Sequence, residues 1–248
     1  MYRDKRVGAV ILARMRSTRL PGKVMLSLKG KPVLQRIVER LQKSQYLDNI
    51  IIATSDDQSC DPIANMCLRL GYEYFRGSEE DILDRFVRAC APYNLDAVVR
   101  ITGDCPMVDW RIVDKLIDLL ITKDCDYCSN VIRRTFPAGL DAEVIATRIL
   151  DEMVRSAEGV DRSHITTYIY KTHPDKYEII NLAAMGTLHR PDIRITLDTL
   201  EDYTVLSALY ELLHNEYFSS LDVVNLLNLL PEIAQMNSMV KQKHYLEG

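Results

Sequence analysis

The residues best suited to chemistry in this sequence are concentrated in one loop. Ala13-Arg14-Met15-Arg16-Ser17-Thr18-Arg19-Leu20-Pro21-Gly22-Lys23 carries four cations and no acid, directly after the apolar run Val7 to Ala13. Like charges crowded on one loop repel, so the arrangement points to a polyanion that neutralises them. Arginine makes planar two-point contacts with phosphate oxygens, lysine offers a compact charge, and Ser17 and Thr18 add hydroxyl donors. Pro21 and Gly22 are expected to turn backbone N–H groups inward as an anion nest. Two familiar phosphate loops are excluded by inspection. No G-x-G-x-x-G follows the run, while Ser17 and the Val24 after Gly22-Lys23 break the Walker pattern. The plain alternative is a solvated basic loop. Position argues against it, because open parallel sheets bind ligands beyond the carboxyl ends of their strands.

Two aspartates hold comparable places. Asp104 stands in Thr102-Gly103-Asp104-Cys105-Pro106 after the run Leu95 to Thr102, and Asp198 follows the alternating stretch Ile193 to Leu197. Gly103 lets backbone approach a ligand. A lone aspartate in such a loop is as often a turn residue, so the second one matters. His164 is a lone histidine, more often structural than catalytic. Cys125-Asp126-Tyr127-Cys128 has the C-x-x-C spacing, but zinc needs two more ligands. On a strand, residues three apart face opposite sides. The six cysteines therefore read as ordinary thiols, the usual fate of free cysteine.

The elements that must position these residues alternate in type. Strands are expected over Val7–Ala13, Asn49–Thr54, Tyr72–Phe75, Leu95–Thr102 and Cys125–Val131. Between them, helical spacing runs over Leu34–Leu41, Asp61–Leu70 (closed by Gly71), Glu80–Ala91 (stopped by Pro92) and Asp109–Ile121. Near-continuous apolar strands alternating with amphipathic helices predict an α/β fold, a mostly parallel sheet covered by helices on both faces. The second half is less regular. Strands are expected at Ala142–Ala146, Tyr177–Leu182 and Ile193–Leu197, and helices at Ile149–Arg155, Asp161–Lys171, Leu200–His214 and Leu221–Leu230. Residues 136–188 exceed what the sheet needs and read as an inserted arm.

Composition sets the outer bounds. The 248 residues, 47% hydrophobic and 27% charged, suit a globular chain that buries a core without staples. Thirty-one Lys and Arg against 35 Asp and Glu give a net charge of −4, which argues against nucleic acid as a partner. The opening apolar run is far short of the roughly 20 residues that span a bilayer, and no cleavage signal follows it. A cytoplasmic protein without a membrane partner is the expectation.

Arg14-x-x-Ser17-x-Arg19-x-Pro21-x-Lys23 after a hydrophobic strand resembles the signature of the sugar cytidylyltransferases, the CMP-KDO synthetases and acylneuraminate cytidylyltransferases. The longest resemblance is to the spore coat polysaccharide biosynthesis protein F branch. It takes in Gly30-Lys31-Pro32-Val33-Leu34, Arg76-Gly77-Ser78-Glu79-Glu80-Asp81 with Leu83-Asp84-Arg85-Phe86, and Arg100-Ile101-Thr102-Gly103-Asp104-Cys105-Pro106. Gly139-Leu140-Asp141-Ala142-Glu143-Val144 and Leu197-Asp198-Thr199 complete it, in order along nearly the whole chain.

The resemblance implies one nucleotide-diphospho-sugar transferase-like domain over residues 1–248 that moves CMP from CTP to an acidic keto sugar and releases pyrophosphate. It implies Mg²⁺ on Asp104 and Asp198. The nucleotide would lie on Ala13, Arg14, Ser17, Arg19, Lys23 and Gly103, with Arg14, Lys23 and Asp104 as catalytic groups. For the acceptor it implies Arg76, Arg85, Arg100, Asp141 and Glu143, with His164 as a possible base. Arg85 reads equally well as a helix-surface residue, and Asp141 and Glu143 as braces of the arm. In the resembled enzymes such an arm builds a homodimer.

Two rival readings stand beside this one. A glycosyltransferase would use a D-x-D metal motif, and Asp124-Cys125-Asp126 has that form, but at the wrong end of its strand for a ligand site. A non-catalytic nucleotide-binding protein would have no need of both Asp104 and Asp198.

Overall fold

The computed structural model describes residues 1–242. The strands are β1 (Val7–Leu12), β2 (Ser27–Leu28), β3 (Lys31–Pro32), β4 (Asn49–Ser55), β5 (Glu73–Gly77), β6 (Ala97–Thr102), β7 (Tyr127–Ser129), β8 (Glu143–Ala146) and β9 (Ile179–Asn181). The helices are α1 (Val33–Leu41), α2 (Asp61–Leu70), α3 (Ile82–Cys90), α4 (Trp110–Lys123), α5 (Leu150–Ser156), α6 (Val160–Ser163), α7 (Leu200–Leu212), α8 (Ser220–Leu229) and α9 (Pro231–Gln235). Among the described residues, seven strands form the main sheet in the order β5-β4-β1-β6-β8-β7-β9. Its β5–β4, β4–β1, β1–β6 and β7–β9 pairs are parallel, whereas β8 runs antiparallel to both β6 and β7. The mostly parallel α/β architecture is as the sequence predicts.

Strand alternation divides the core in two. Val7, Ala9 and Ile11 of β1 pack on one face with Ile37 of α1, Ile63 of α2, Leu116 of α4 and Leu206 of α7. Val10, from the same strand, packs on the other face with Phe86 of α3 and Met153 of α5. Each strand must be apolar on both sides to serve two cores, which is why β1 reads as an unbroken hydrophobic run.

Three expectations need correction. The helix predicted over Asp161–Lys171 is broken into α6 and a π-helical turn at Tyr168–Thr172. The Asp161 carboxylate accepts hydrogen bonds from the hydroxyls of Thr167 and Thr172, side-chain bonds that compete with helical ones. The stretch read as an arm is largely built into the fold, since it supplies β8 and β9 to the sheet and α5 to its face. Finally, Ile193–Leu197 is no strand of the sheet. Ile193, Ile195 and Leu197 point inward as the alternation requires, but the backbone is spent elsewhere. Ala138 N–H donates to Ile193 O, Ile195 N–H to Ala138 O, and Leu197 N–H to Asp104 O.

That seam depends on Gly139. Its φ is +109°, and a Cβ there would lie 2.5 Å from the carbonyl carbon and oxygen of Ile195. Backbone cannot move aside as a flexible side chain can. Gly139→Ala should cost at least about 2 kcal/mol, the scale of strain at a special backbone position plus a steric clash. Urea unfolding reads the loss, and an unchanged midpoint would show that the seam is loose.

Candidate active site

Backbone bonds bring the carboxyl ends of β1 and β6 together. Gly103 N–H donates to Leu12 O (2.8 Å), while Ala13 N–H reaches across to Ala53 O at the end of β4 (3.2 Å). Beyond these ends lies a cavity of about 410 Å³. Its walls include Ala13, Arg14, Ser17, Arg19, Lys23, Gly103 and Asp104, so the residues predicted to hold the nucleotide surround one space. The expected nest at Pro21-Gly22 is absent. Gly22 sits at φ 71° and gives its N–H to Met15 O (2.8 Å), and Lys23 N–H goes to Leu20 O (3.3 Å). These donors close the loop on itself, leaving side chains to face the cavity.

None of the four loop cations lacks a carboxylate. Arg14 pairs with Glu79 (3.2 Å), Arg16 with Asp57 (3.1 Å) and Arg19 with Asp198 (2.8 Å). Lys23 bridges both predicted metal residues, its Nζ 2.9 Å from Asp104 Oδ2 and 2.7 Å from Asp198 Oδ1. Asp104 and Asp198 are therefore close enough to share a single ammonium. The Asp104 main chain sets this up, because its carbonyl accepts from Leu197 N–H (2.8 Å) and Thr196 Oγ1 (3.0 Å). Thr102 Oγ1 donates to Asp104 Oδ1 (2.6 Å) and fixes the carboxylate plane.

Asp198 is held by two residues that the sequence reading missed. Arg194 donates to Asp198 Oδ2 (2.7 Å) and makes two bonds to Asp202, at 2.8 and 2.9 Å. Asp202 is fully buried and also accepts the N–H groups of Asp198 and Thr199. The signal was present: Thr199-x-x-Asp202 is a capping box at the start of α7, and Arg194 stands four residues before Asp198.

The charges act on one another. Burial alone would raise the Asp198 pKa, but Lys23, Arg194 and Arg19 outweigh it and hold it below the ordinary aspartate value. Burial alone would lower that of Lys23, and Asp104 and Asp198 reverse this, so the ammonium stays charged.

The predicted acceptor residues divide. Arg85, Arg100 and His164 line the cavity. Arg85 is buried and donates to the carbonyl of Ser78, so the helix-surface alternative is wrong. Among the described residues no carboxylate lies within ion-pair distance of it. Arg100 and Glu143 sit opposite each other across β6 and β8 and pair at 3.0 Å, Glu143 behind the cavity wall. Asp141 is likewise outside the wall, bound by two bonds from Arg134 (2.8 and 2.7 Å). Arg76 is not brought to the cavity. Its guanidinium is taken up by Asp61 (2.7 Å) and by the carbonyls of Ser55, Asp56 and Asp57. The pKa of His164 is lowered by burial, then by the nearby Arg100 and Arg14, so the ring is neutral at pH 7.

Asp124 and Asp126 both pair with Arg148, at 2.7 and 2.9 Å, away from the cavity. The six cysteines are buried free thiols. Among the described residues no helix is long and apolar enough to cross a membrane.

A model of the cytidylyltransferase family matches residues 9–245. The chain belongs to that family. The cytidylyltransferase is 35% identical over 232 residues to the spore coat polysaccharide biosynthesis protein SpsF of Bacillus subtilis, covering 91% of this chain and 95% of that one. A solved cytidylyltransferase from Leptospira borgpetersenii superposes with a TM-score of 0.89 at 30% identity, covering 97% of this chain and all of that one. A structure of CMP:2-keto-3-deoxy-manno-octonic acid synthetase complexed with CTP shares the fold, with a TM-score of 0.64 at 17% identity over 84% of this chain and 99% of that one. The protein is thus a nucleotidyltransferase.

The ion pairs of this cytidylyltransferase give a pH-dependent prediction. With its folded pKa lowered, Asp198 contributes stability that is complete above its unfolded value and is lost as pH falls through the folded one. At pH 7, Asp198→Asn should cost about 3–5 kcal/mol, the scale for breaking a buried pair. The gap between variant and wild type should close only below the ordinary aspartate pKa of about 3.9. Urea unfolding at several pH values measures it, and a gap that does not vary with pH contradicts the assignment.

Proposed function

We propose that this cytidylyltransferase transfers CMP from CTP to a hydroxyl of an acidic keto sugar, with Mg²⁺ as cofactor and pyrophosphate as the second product. The observation that carries the reading is the meeting of Asp104, Asp198, Lys23 and Arg19 in one cluster, of which Asp104, Lys23 and Arg19 line the cavity. Asp104 and Asp198 are hard oxygen donors near enough to serve one cation, a donor set that suits Mg²⁺ when phosphates complete its shell. When bound there, Mg²⁺ would neutralise charge on the α-phosphate and lower the pKa of the attacking hydroxyl. Arg14, Arg19 and Lys23 hold the triphosphate and stabilise the charge that develops on the leaving pyrophosphate. Ala13, Ser17 and Gly103 complete the nucleotide's contacts.

The acceptor lies toward Arg85, Arg100 and His164. Arg85, a buried guanidinium without a carboxylate of its own, supports an acidic acceptor. In the reaction the hydroxyl oxygen bonds to the α-phosphorus, the bond to the β-phosphate oxygen breaks, and the hydroxyl proton leaves. His164, neutral at pH 7 and on the wall, is placed to accept that proton. The name of one relative, the spore coat polysaccharide biosynthesis protein SpsF, supports a place in polysaccharide biosynthesis. A single catalytic domain acting in the cytoplasm as a homodimer fits this reading, and light scattering tests the dimer.

Pyrophosphate release, screened over acidic sugars and the four nucleoside triphosphates, tests the whole proposal. Turnover is expected with CTP alone. Asp104→Asn should reduce it by roughly 100- to 1000-fold, the scale of losing one preorganised electrostatic group. A folded variant with most of its activity removes Asp104 from the chemistry. His164→Gln should flatten the acid limb of the pH profile, since protonation below the lowered pKa disables the ring. A limb that survives the substitution belongs to another group.

A further inference from the structure

Lys23 Nζ bridges Asp104 and Asp198, the two carboxylates that a divalent ion would have to share. We propose that its ammonium is a built-in counter-ion that keeps the metal site shut, so that the ion enters only together with a triphosphate. The inference rests on the reading above that Asp104 and Asp198 are the metal ligands, and it adds an order to their loading.

Every oxygen of the two carboxylates is engaged. Asp104 Oδ1 accepts from Thr102 and Oδ2 from Lys23, while Asp198 Oδ1 accepts from Lys23 and Arg19 and Oδ2 from Arg194. A cation arriving alone must displace one of these donors. The cluster is already balanced, since Lys23, Arg19 and Arg194 are matched by Asp104, Asp198 and Asp202. A divalent ion arriving alone would leave it with unbalanced positive charge. A nucleoside triphosphate that carries the ion brings the negative charge that offsets it.

The three cations are not equally free to leave. Arg194 is pinned by two bonds to the buried Asp202, and its guanidinium is a rigid fork. Lys23 has a flexible four-carbon stem, lines the cavity, and bonds through Nζ to the two aspartates alone among the described residues. Its transfer from carboxylates to phosphates exchanges one set of charge-assisted bonds for another. Lys23 is therefore the cation that moves, and Arg194 the one that keeps Asp198 in place afterwards.

The test uses Mn²⁺ as the probe, without nucleotide, and reads the free ion by electron paramagnetic resonance. Wild type and Lys23→Arg should bind it weakly. Lys23→Met keeps the stem but not the charge, and should bind at least about tenfold more tightly, a gain of about 1.4 kcal/mol. Thermal melts give an independent readout: Mn²⁺ alone should raise the melting temperature of Lys23→Met and leave that of wild type unchanged. Wild type that binds as tightly as Lys23→Met, or a variant that gains nothing by either measure, overturns the inference. The double variant Lys23→Met with Asp104→Asn separates the two layers. It should lose the gain, and if the gain persists the ion does not sit on Asp104, so the metal reading itself fails.

Discussion

A buried carboxylate must be charge-balanced or it does not stay charged, and Asp198 imposes that constraint on the whole site. Taking the group out of water costs several kcal/mol, which only well-placed cations and hydrogen bonds recover. Two segments meet the demand: the loop after β1 through Arg19 and Lys23, and the seam before α7 through Arg194, which the buried Asp202 of α7 holds in place. The seam is in turn tied to Asp104 through Leu197 N–H. The separation between Asp104 and Asp198 is thus fixed by main-chain bonds, and Lys23 is the side chain that spans it.

The same arrangement gives the crowded cations of the basic loop their partners within the chain. Its cations borrow carboxylates from other elements, Glu79, Asp57, Asp104 and Asp198. The Arg14 and Arg16 pairs are half open to water, and pairs of that kind contribute little. They hold the loop in place at low cost and give way readily to phosphate oxygens. The Asp198 cluster is buried and worth more, so exchange there demands a ligand of high charge. On the proposed function, that difference selects for a triphosphate.

What the sequence revealed and what it hid differ by range. Strands such as β1 and β6 were legible because two-sided burial leaves an unbroken apolar run, and the loop's place followed from that. The stops of α2 at Gly71 and of α3 before Pro92 were local signals too. Ile193–Leu197 misled because inward alternation marks burial, not pairing: the side chains obey the pattern while the backbone bonds to Ala138 and Asp104. Asp161 was hidden in another way, since a helical apolar spacing says nothing of a carboxylate that captures two threonine hydroxyls. Loop cations read as awaiting a polyanion turned out to be paired, because their partners lie far along the chain and no local pattern records them. Arg76 failed for the same reason, its carbonyl partners being set by the turn after β4.

The two ends of the cavity now differ in kind. At the Asp104–Asp198 end, cations and carboxylates are matched in buried or half-buried pairs. Toward His164, Arg100 is matched by Glu143, and the imidazole is neutral at pH 7. That leaves Arg85 as the one wall cation there without an ion-pair partner among the described residues. One unmatched guanidinium suffices for one carboxylate, and a second acidic group on the acceptor would have no counterpart. On the proposed function, discrimination among acidic sugars therefore falls to hydrogen bonding around the Arg100–Glu143 pair. Such a fixed and neutral pair penalises a sugar that leaves its polar atoms unanswered more than it rewards added charge.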